Sequence, residues 1–134
     1  MALNGKLQMQ GKEYNVQDCS YEFSQPYDNN NKPSATPRGG LINFTILSDN
    51  HEDLFFHQWM LSVADVYSGT FELPVTKGIE HKWKTVKFEN AHCIRLSEYY
   101  NNSNALQMYM NITISAAKID FGNGVEYKNK EIKK

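Results

Sequence analysis

Apolar and polar side chains alternate without interruption between Leu106 and Ala116. The apolar positions are Leu106, Met108, Met110, Ile112, Ile114 and Ala116, and the polar positions are Gln107, Tyr109, Asn111, Thr113 and Ser115. Because successive side chains of a β-strand point to opposite faces, one face of this segment packs against a core and the other meets water. The pattern therefore predicts a half-buried strand, about twice as long as usual, whose edges both need partners.

The same alternation recurs along the chain and predicts five further strands. They lie at about residues 3–9, 13–23, 42–46, 71–75 and 82–99. The first two are expected to form a hairpin with its turn at Gly11–Lys12. The apolar phase changes near Gln17–Asp18 and again between Asn90 and His92, which predicts a β-bulge or bend at each place.

One helix is predicted between the third and fourth strands, at about residues 50–63. Asp49 provides an N-cap and Glu52 follows three residues later, where both carboxylates favour the positive end of a helix. The apolar residues expected to lie on the sheet are Leu54, Phe55, Trp59 and Leu61. The helix is expected to end before a turn at Ser68–Gly69.

Two segments lack this patterning. Residues 24–38 contain three consecutive asparagines and three prolines but few apolar side chains, which predicts a long loop. Gly39–Gly40 ends the loop and indicates a positive φ or a close backbone approach where the next strand starts. The charged tail from about residue 122 to 134 is predicted to fray.

Six strands and one helix indicate a single mainly β domain over residues 1–134. Long antiparallel strands leave edges that one helix cannot cover, and closure into a barrel or a two-layer sandwich removes them. The predicted fold is an antiparallel β-barrel, made of two packed curved sheets, with one flanking α-helix.

Composition narrows the range of partners. The formal net charge of −1 gives no basic field to hold a phosphate backbone, so nucleic acid is not an expected partner. Neither a secretory signal pattern nor an apolar run long enough for a membrane helix is present, which predicts a cytoplasmic protein without membrane insertion. Cys19 and Cys93 lie far apart on predicted strands and are expected to be buried free thiols in a reducing compartment.

The sequence shows no pattern for catalysis or metal binding. His51 and His57 are interpreted as surface histidines, because they lie about 120° apart around a helix, whereas a zinc-protease pair needs a spacing of four residues. Cys93 and its neighbour His92 face opposite sides of a strand and cannot act as nucleophile and base. We therefore expect a protein that is not an enzyme and holds no cofactor or metal.

An ordered set of residues extends from about Leu3 to Gly122. It comprises Gly11-Lys12-Glu13-Tyr14, Val16, Cys19, Tyr21, Phe23, Asp28, Pro33, Arg38-Gly39-Gly40, Ile42, Trp59-Met60, Val86, Phe88-Glu89, Ala91, Cys93, Met110, Ile112, Ile114-Ser115-Ala116 and Ile119. This set resembles the Hcp (TssD) family of type VI secretion tube proteins, in particular its Bacteroidota branch. The three asparagines of the long loop and the charged tail depart from the family pattern.

The resemblance implies a β-barrel with a flanking helix, a fold also found in phage tail tubes, assembled as a homo-hexameric ring around a wide channel. Stacked rings would form a tube that a contractile sheath ejects, with small effector proteins carried in the lumen. The implied partners are further copies of the chain, effectors, and the spike, baseplate and sheath proteins. The implied route leads from the cytoplasm out through the type VI apparatus, without a signal peptide.

Two surfaces are expected to serve assembly. The first is the long loop and its end, where the expected contacts between stacked rings are Tyr27, Pro33, Arg38, Gly39 and Gly40. Arginine and tyrosine are common anchors of protein interfaces. The second is the polar row of the longest strand, through Tyr109, Asn111 and Thr113, which is expected to face the channel or a neighbouring subunit.

Three alternatives stay open at this stage. A monomeric barrel that binds a small ligand would show the same alternation, although its cavity side chains are usually small or mixed, whereas Met, Ile and Leu fill the inward row here. The chain could also be the tube protein of another contractile particle, or an enzyme with an unrecognised site. The mass in solution separates the first alternative from a ring, and neighbouring genes separate the contractile systems.

Overall fold

The computed structural model describes residues 5–25, 28–32, 39–48, 52–101 and 107–128 of the 134-residue chain. Within these residues the chain forms seven strands and one short helix. The strands are β1 (Gly5–Met9), β2 (Lys12–Tyr21), β3 (Leu41–Leu47), β4 (Tyr67–Lys77), β5 (Glu80–Asn101), β6 (Gln107–Gly122) and β7 (Val125–Lys128), and the helix α1 (Phe55–Met60) lies between β3 and β4.

Six of the strands close into an antiparallel barrel. Their order around the barrel is β3, β2, β1, β4, β5 and β6, and β6 pairs back with β3 from Leu41 opposite Ser115 to Leu47 opposite Tyr109. The seventh strand, β7, pairs with the end of β6 beyond this seam. The predicted barrel with one helix is confirmed, and closure gives both edges of each strand a partner within the barrel itself.

Inward-facing side chains fill the barrel. Phe44, Phe71 and Phe88 extend inward from three different strands, and the ring centroid of Phe71 lies 5.0 Å from that of Phe44 and 5.5 Å from that of Phe88. All three side chains are at most 1% exposed. The predicted inward row of the longest strand is confirmed by the burial of Met110, Ile112, Ile114 and Ala116. Met108 is only half-buried, and Leu106 lies outside the described residues.

Both predicted irregularities are present. In β2 the register against β3 slips between Val16 and Asp18, which places the extra residue at Gln17. In β5 an extra residue lies near Asn90, where the backbone has a φ of 53° and the register against β4 slips. Each bulge returns the apolar side chains to the interior after the phase change in the sequence.

Two predicted turns differ in position. The β1–β2 hairpin turns at Gln10–Gly11, one residue before the predicted Gly11–Lys12, and both residues have the positive φ of a type I′ turn. The turn predicted at Ser68–Gly69 is wrong, because both residues lie within β4. A glycine is needed there for packing: a Cβ at Gly69 would lie 2.8 Å from the Phe88 ring.

The helix covers residues 55–60 and is therefore shorter than the predicted range of 50–63. Phe56 and Trp59 are buried against the sheet. Leu61, which was also predicted to lie on the sheet, is instead 84% exposed. The helix ends at Met60, so Leu61 no longer follows the helical spacing that the prediction assumed. Asp49, the predicted N-cap, lies outside the described residues.

The tail is more ordered than predicted. Residues 125–128 form β7, which turns back on β6 through Asn123 and Gly124, both with positive φ. Tyr127 packs against the buried core and gives this strand an apolar anchor. The predicted fraying is therefore wrong for β7, and residues 129–134 lie outside the described residues.

Candidate functional site

The outward-facing residues of β2, β3, β6 and β5 form one continuous surface, the outer polar face. In β3, for example, Ile42, Phe44 and Ile46 are buried, while Leu41 and Asn43 between them are exposed. The strand register brings together Asp18, Ser20, Leu41, Asn43, Thr45, Leu47, His92, Arg95, Ser97, Tyr99, Tyr109, Asn111, Thr113 and Ser115. The predicted residues Tyr109, Asn111 and Thr113 therefore lie on one face with partners from three other strands.

Hydrogen bonds across the β3–β6 seam order the centre of the face. The Asn111 Nδ2 donates to the Thr45 Oγ1 at 3.0 Å. In the neighbouring row the Thr113 Oγ1 donates to the Asn43 Oδ1 at 3.3 Å. Thr45 is consequently only 7% exposed although it is polar and faces outward. These uncharged pairs give the face a fixed surface that still offers hydrogen-bonding groups to water.

A tyrosine pair forms one end of the face. Tyr109 of β6 stacks on Tyr99 of β5 with ring centroids 5.7 Å apart and an interplanar angle of 26°. Tyr99 was not among the predicted site residues, because its position beside Tyr109 depends on pairing between two strands. The stacked rings bury part of each other and end the row of small polar side chains.

The face carries almost no charge. Its 14 side chains include one aspartate, Asp18, and one arginine, Arg95, so its formal charges are one negative and one positive. Charge resumes beyond the face, where the Lys118 Nζ lies 3.2 Å from Glu126 and 3.9 Å from Glu89. The hydrogen bond to Glu126 and the attraction of both carboxylates raise the pKa of Lys118. This charged cluster on β5, β6 and β7 borders the uncharged face at the end opposite the tyrosine pair.

The ends of the long loop are held by close packing. Gly40 has a φ of 93°, and a Cβ there would lie 2.8 Å from the carbonyl oxygen of Ala116. The Gly40 carbonyl in turn accepts a hydrogen bond from the Ala116 N–H at 2.7 Å. A Cβ at Gly39 would collide with the Phe23 ring. The expected positive φ and close approach are thus both found at Gly40, while Tyr27, Pro33 and Arg38 lie outside the described residues.

An aromatic cluster surrounds this point. The Phe23 ring centroid lies 5.1 Å from Tyr127 of β7 and 5.9 Å from Phe121 of β6. Tyr21, two residues earlier, lies 5.3 Å from the same Phe121. The end of β2 and the residues just after it are therefore packed on the β6–β7 hairpin.

A second polar cluster fixes the start of α1 to the barrel. The Asp53 carboxylate accepts hydrogen bonds from the Tyr14 hydroxyl at 3.0 Å and the Phe55 N–H at 3.2 Å, and lies 3.4 Å from the Lys12 Nζ. Burial would raise the pKa of Asp53, but these hydrogen bonds and the lysine lower it overall. Burial and the neighbouring carboxylate raise the pKa of Tyr14. Asp53 thus takes the stabilising role near the helix start that the sequence assigned to Asp49.

A third cluster joins α1 to β5. The Glu98 carboxylate accepts a hydrogen bond from the Ser48 hydroxyl and lies 3.1 Å from the Nε2 of His57. His57, predicted to be a surface histidine, is therefore half-buried and partnered. The serine and the histidine contact the same carboxylate instead of each other, so the arrangement lacks the serine-to-base contact of a nucleophilic site.

The thiols are not set up as nucleophiles. Burial, assisted by the negative charge of Asp18, raises the pKa of Cys19 to about 12. Burial also raises the pKa of Cys93, whose predicted burial is confirmed. Both cysteines are free. No group of three potential metal ligands occurs among the described residues, and none of their helices has the length and apolar character needed to cross a membrane.

The barrel thus combines a filled interior with an ordered outer polar face that carries two opposite formal charges. The family model for the hemolysin coregulated protein Hcp (TssD) matches residues 1–130. Hcp1 from Flavobacterium johnsoniae is 26% identical, with 95% of this chain and 100% of that chain covered and a TM-score of 0.79. A mutant of Hcp1 from Escherichia coli EAEC 042 is 14% identical over 96% and 98% of the two chains, with a TM-score of 0.69. A comparison with curated protein sequences gave no match.

The chain therefore belongs to the Hcp (TssD) family, as the resemblance predicted. It is accordingly a type VI secretion tube protein with the β-barrel fold of that family. Hcp is a family of structural tube proteins, and its members are secreted by the type VI system.

Proposed function

We propose that this protein forms six-membered rings that stack into the inner tube of a type VI secretion machine. A contractile sheath ejects that tube, together with the spike, from the baseplate, and effector proteins travel in its lumen. The observation that supports this most directly is the outer polar face, a four-stranded surface with one positive and one negative charge on a barrel whose interior is already filled. A barrel with a filled interior interacts with its partners through its outer surface.

The outer polar face is proposed to line the channel. Its amide and hydroxyl groups hold water, and its near-neutral charge avoids tight binding of either acidic or basic cargo. A subunit interface usually has an apolar centre instead. On this face the apolar members Leu41 and Leu47 lie in different rows, separated by polar side chains.

The mass of the purified protein tests the ring. Size-exclusion chromatography with light scattering is expected to give about six times the subunit mass, and electron microscopy is expected to show annular particles. A single subunit of 15.5 kDa at every concentration would contradict the proposal. That result, combined with a melting temperature raised by a small ligand, would favour the ligand-binding barrel.

Adding charge to the outer polar face tests its placement in the channel. The change Thr113→Glu places a carboxylate at the centre of the face and is expected to leave the ring mass unchanged, while altering which effectors are retained. Ser97→Glu, on the neighbouring strand of the same face, provides a second position. Loss of rings in both variants would identify the face as a subunit interface instead.

The long loop is proposed to make the contact between stacked rings, with Tyr27, Pro33 and Arg38 as anchors. The support from the structure is the fixed position of its flanks, at Phe23 on one side and Gly39–Gly40 on the other. Shortening the loop within residues 26–37 is expected to leave single rings intact and to abolish tubes in electron micrographs. Unchanged tubes would contradict this role.

A further inference from the structure

The β4–β5 hairpin extends beyond the barrel. Residues 73–77 of β4 and 80–84 of β5 pair only with each other, because β1 pairs with β4 at residues 70–72 and β6 pairs with β5 from Lys87 onward. This hairpin, residues 73–84, is the arm. Since it is two-stranded, its outer part has no core of its own and presents both sides to solvent.

The arm is basic and apolar. Its 12 residues contain three lysines and one glutamate, a formal charge of +2. Ile79 at the turn is 95% exposed, and Val75 and Trp83 on the two strands are also exposed. Lys82 and Glu80 form an exposed ion pair at 3.8 Å. Exposed apolar side chains grouped with one sign of charge are typical of an interaction surface.

Residues 52–66, the helix segment, have the opposite character. They contain one glutamate and two aspartates but no lysine or arginine, a formal charge of −3. Asp53 is half-buried and lies beside Lys12, whereas Glu52 and Asp65 are the exposed acidic side chains of the segment. The exposed apolar side chains of this segment are Leu54, Leu61, Val63 and Val66, of which Val63 is 97% exposed.

The two surfaces cannot meet within one subunit. The helix segment packs on the second half of β5, where the Met60 Sδ lies 3.9 Å from the Cys93 Sγ and His57 contacts Glu98. The arm lies at the other end of the same strand. At about 3.3 Å per residue, the path from Lys82 to Cys93 is on the order of 35 Å, somewhat shortened by the bend near Asn90.

We propose that the arm of one subunit packs on the helix segment of the next subunit in the ring. Two different, complementary surfaces at opposite ends of one strand produce a head-to-tail contact, which closes a ring when it is repeated. The basic side chains Lys82 and Lys84 then approach Glu52 and Asp65 of the neighbour, and the exposed apolar side chains of both surfaces are covered. This inference rests on the proposed ring and names the subunit contact within it.

Pro74 hinders strand pairing along the β4 edge of the arm. It lies opposite Trp83 of β5. Proline has no N–H to donate, so it interrupts any ladder that a further strand would form along this edge. On this side the arm is therefore suited to packing by its faces and its tip.

Charge reversal in the full-length protein tests the contact. The arm variant carries Lys82→Glu with Lys84→Glu, and the helix-segment variant carries Glu52→Lys with Asp65→Lys. Each is expected to raise the concentration at which rings dissociate by about tenfold or more, because like charges then face each other. The protein with all four substitutions restores opposite charges across each contact and is expected to form rings again.

Two further variants serve as controls. Lys6→Glu with Lys128→Glu makes the same change in net charge as the arm variant, but at exposed positions outside both surfaces. This control is expected to keep its rings. Because Lys84 also lies over the Phe121 ring, Ile79→Ser is included as an uncharged arm variant at a side chain that is 95% exposed. It too is expected to weaken the rings, while its thermal unfolding stays that of the unmodified subunit.

The outcomes separate this contact from the proposed ring. Unmodified protein that never exceeds the mass of one subunit overturns the ring and this contact with it. Rings that persist in the arm variant and in Ile79→Ser overturn the contact and leave the ring standing. Disruption by both reversals without recovery in the combined variant overturns the pairing of these two surfaces.

Discussion

Gly40 occupies a position at the start of β3 that no other residue fits. Its φ of 93° strains any L side chain, and an added Cβ would lie 2.8 Å from the Ala116 carbonyl oxygen across the seam. Gly40→Ala is therefore expected to lower the free energy of unfolding by about 3 kcal/mol. Urea unfolding followed by tryptophan fluorescence measures the change.

Gly78 provides the matched control. It also has a positive φ, of 64°, but a Cβ there would meet no atom within 4 Å. Gly78→Ala is expected to lower the free energy of unfolding by only about 1 kcal/mol, the cost of placing an L side chain at a positive φ. Equal losses in the two variants would show that the close approach at the seam contributes nothing.

Asp53 makes the free energy of unfolding of the protein depend on pH in the acidic range. Because the folded protein lowers the pKa of this carboxyl, the charged form stabilises the fold above its unfolded pKa of about 3.9. The contribution is lost as the pH falls through the lower, folded value. Asp53→Asn is expected to cost about 1–2 kcal/mol at pH 7, with the difference from the unmodified protein shrinking near pH 2.

Thermal or urea unfolding at both pH values measures this difference. Glu13→Gln is the control, because the pair of Glu13 with Lys6 at 3.4 Å is exposed and such pairs contribute little. A cost for Asp53→Asn that stays constant from pH 7 to pH 2 would contradict the assignment of the effect to the carboxylate.

At the scale of elements, β7 stabilises the point where the long loop leaves the barrel. Tyr127 packs on Phe23, and its ring would lie 3.3 Å from a Cβ at Gly40. Tyr127→Ala is expected to lower the free energy of unfolding by about 1–2 kcal/mol through lost aromatic packing. Val125→Ala, in the same strand but 60% exposed, should change it by less than about 0.5 kcal/mol.

The elements that the sequence predicted correctly are those with two contrasting faces. β6 has four buried residues at alternating positions, and its period of two is visible without knowledge of its partners. β7 was missed because its four residues include two charged ones and only Tyr127 contacts the core. The helix was placed too broadly because Leu61 fits the spacing although the helix has already ended.

The candidate site was predictable only in part for a related reason. Alternation alone places Tyr109, Asn111 and Thr113 on one face. Their partners Tyr99, Thr45 and Asn43 come from strands that are distant in sequence, and only the register of the closed barrel brings them together. The cluster of Ser48, His57 and Glu98 depends on the same long-range pairing and leaves no local signal.

At the scale of the whole molecule, the proposed contact between the arm and the helix segment would make the proposed ring sensitive to salt. Sodium chloride screens exposed charges, with a screening length that falls from about 30 Å at 0.01 M to about 3 Å at 1 M. Rings of the unmodified protein are therefore expected to dissociate at higher protein concentrations as salt is added. Light scattering across this range measures the shift, and rings indifferent to salt would contradict a contact based on opposite charge.

The seam between β3 and β6 also sets the order of events during synthesis. Leu41 pairs with Ser115, so the barrel stays open until β6 has left the ribosome. Segments this distant in sequence pair slowly, and until they do, unpaired strand edges that favour aggregation are exposed. A nascent chain that stalls before β6 would be an open, aggregation-prone sheet, and quality control by chaperones matters most in that interval.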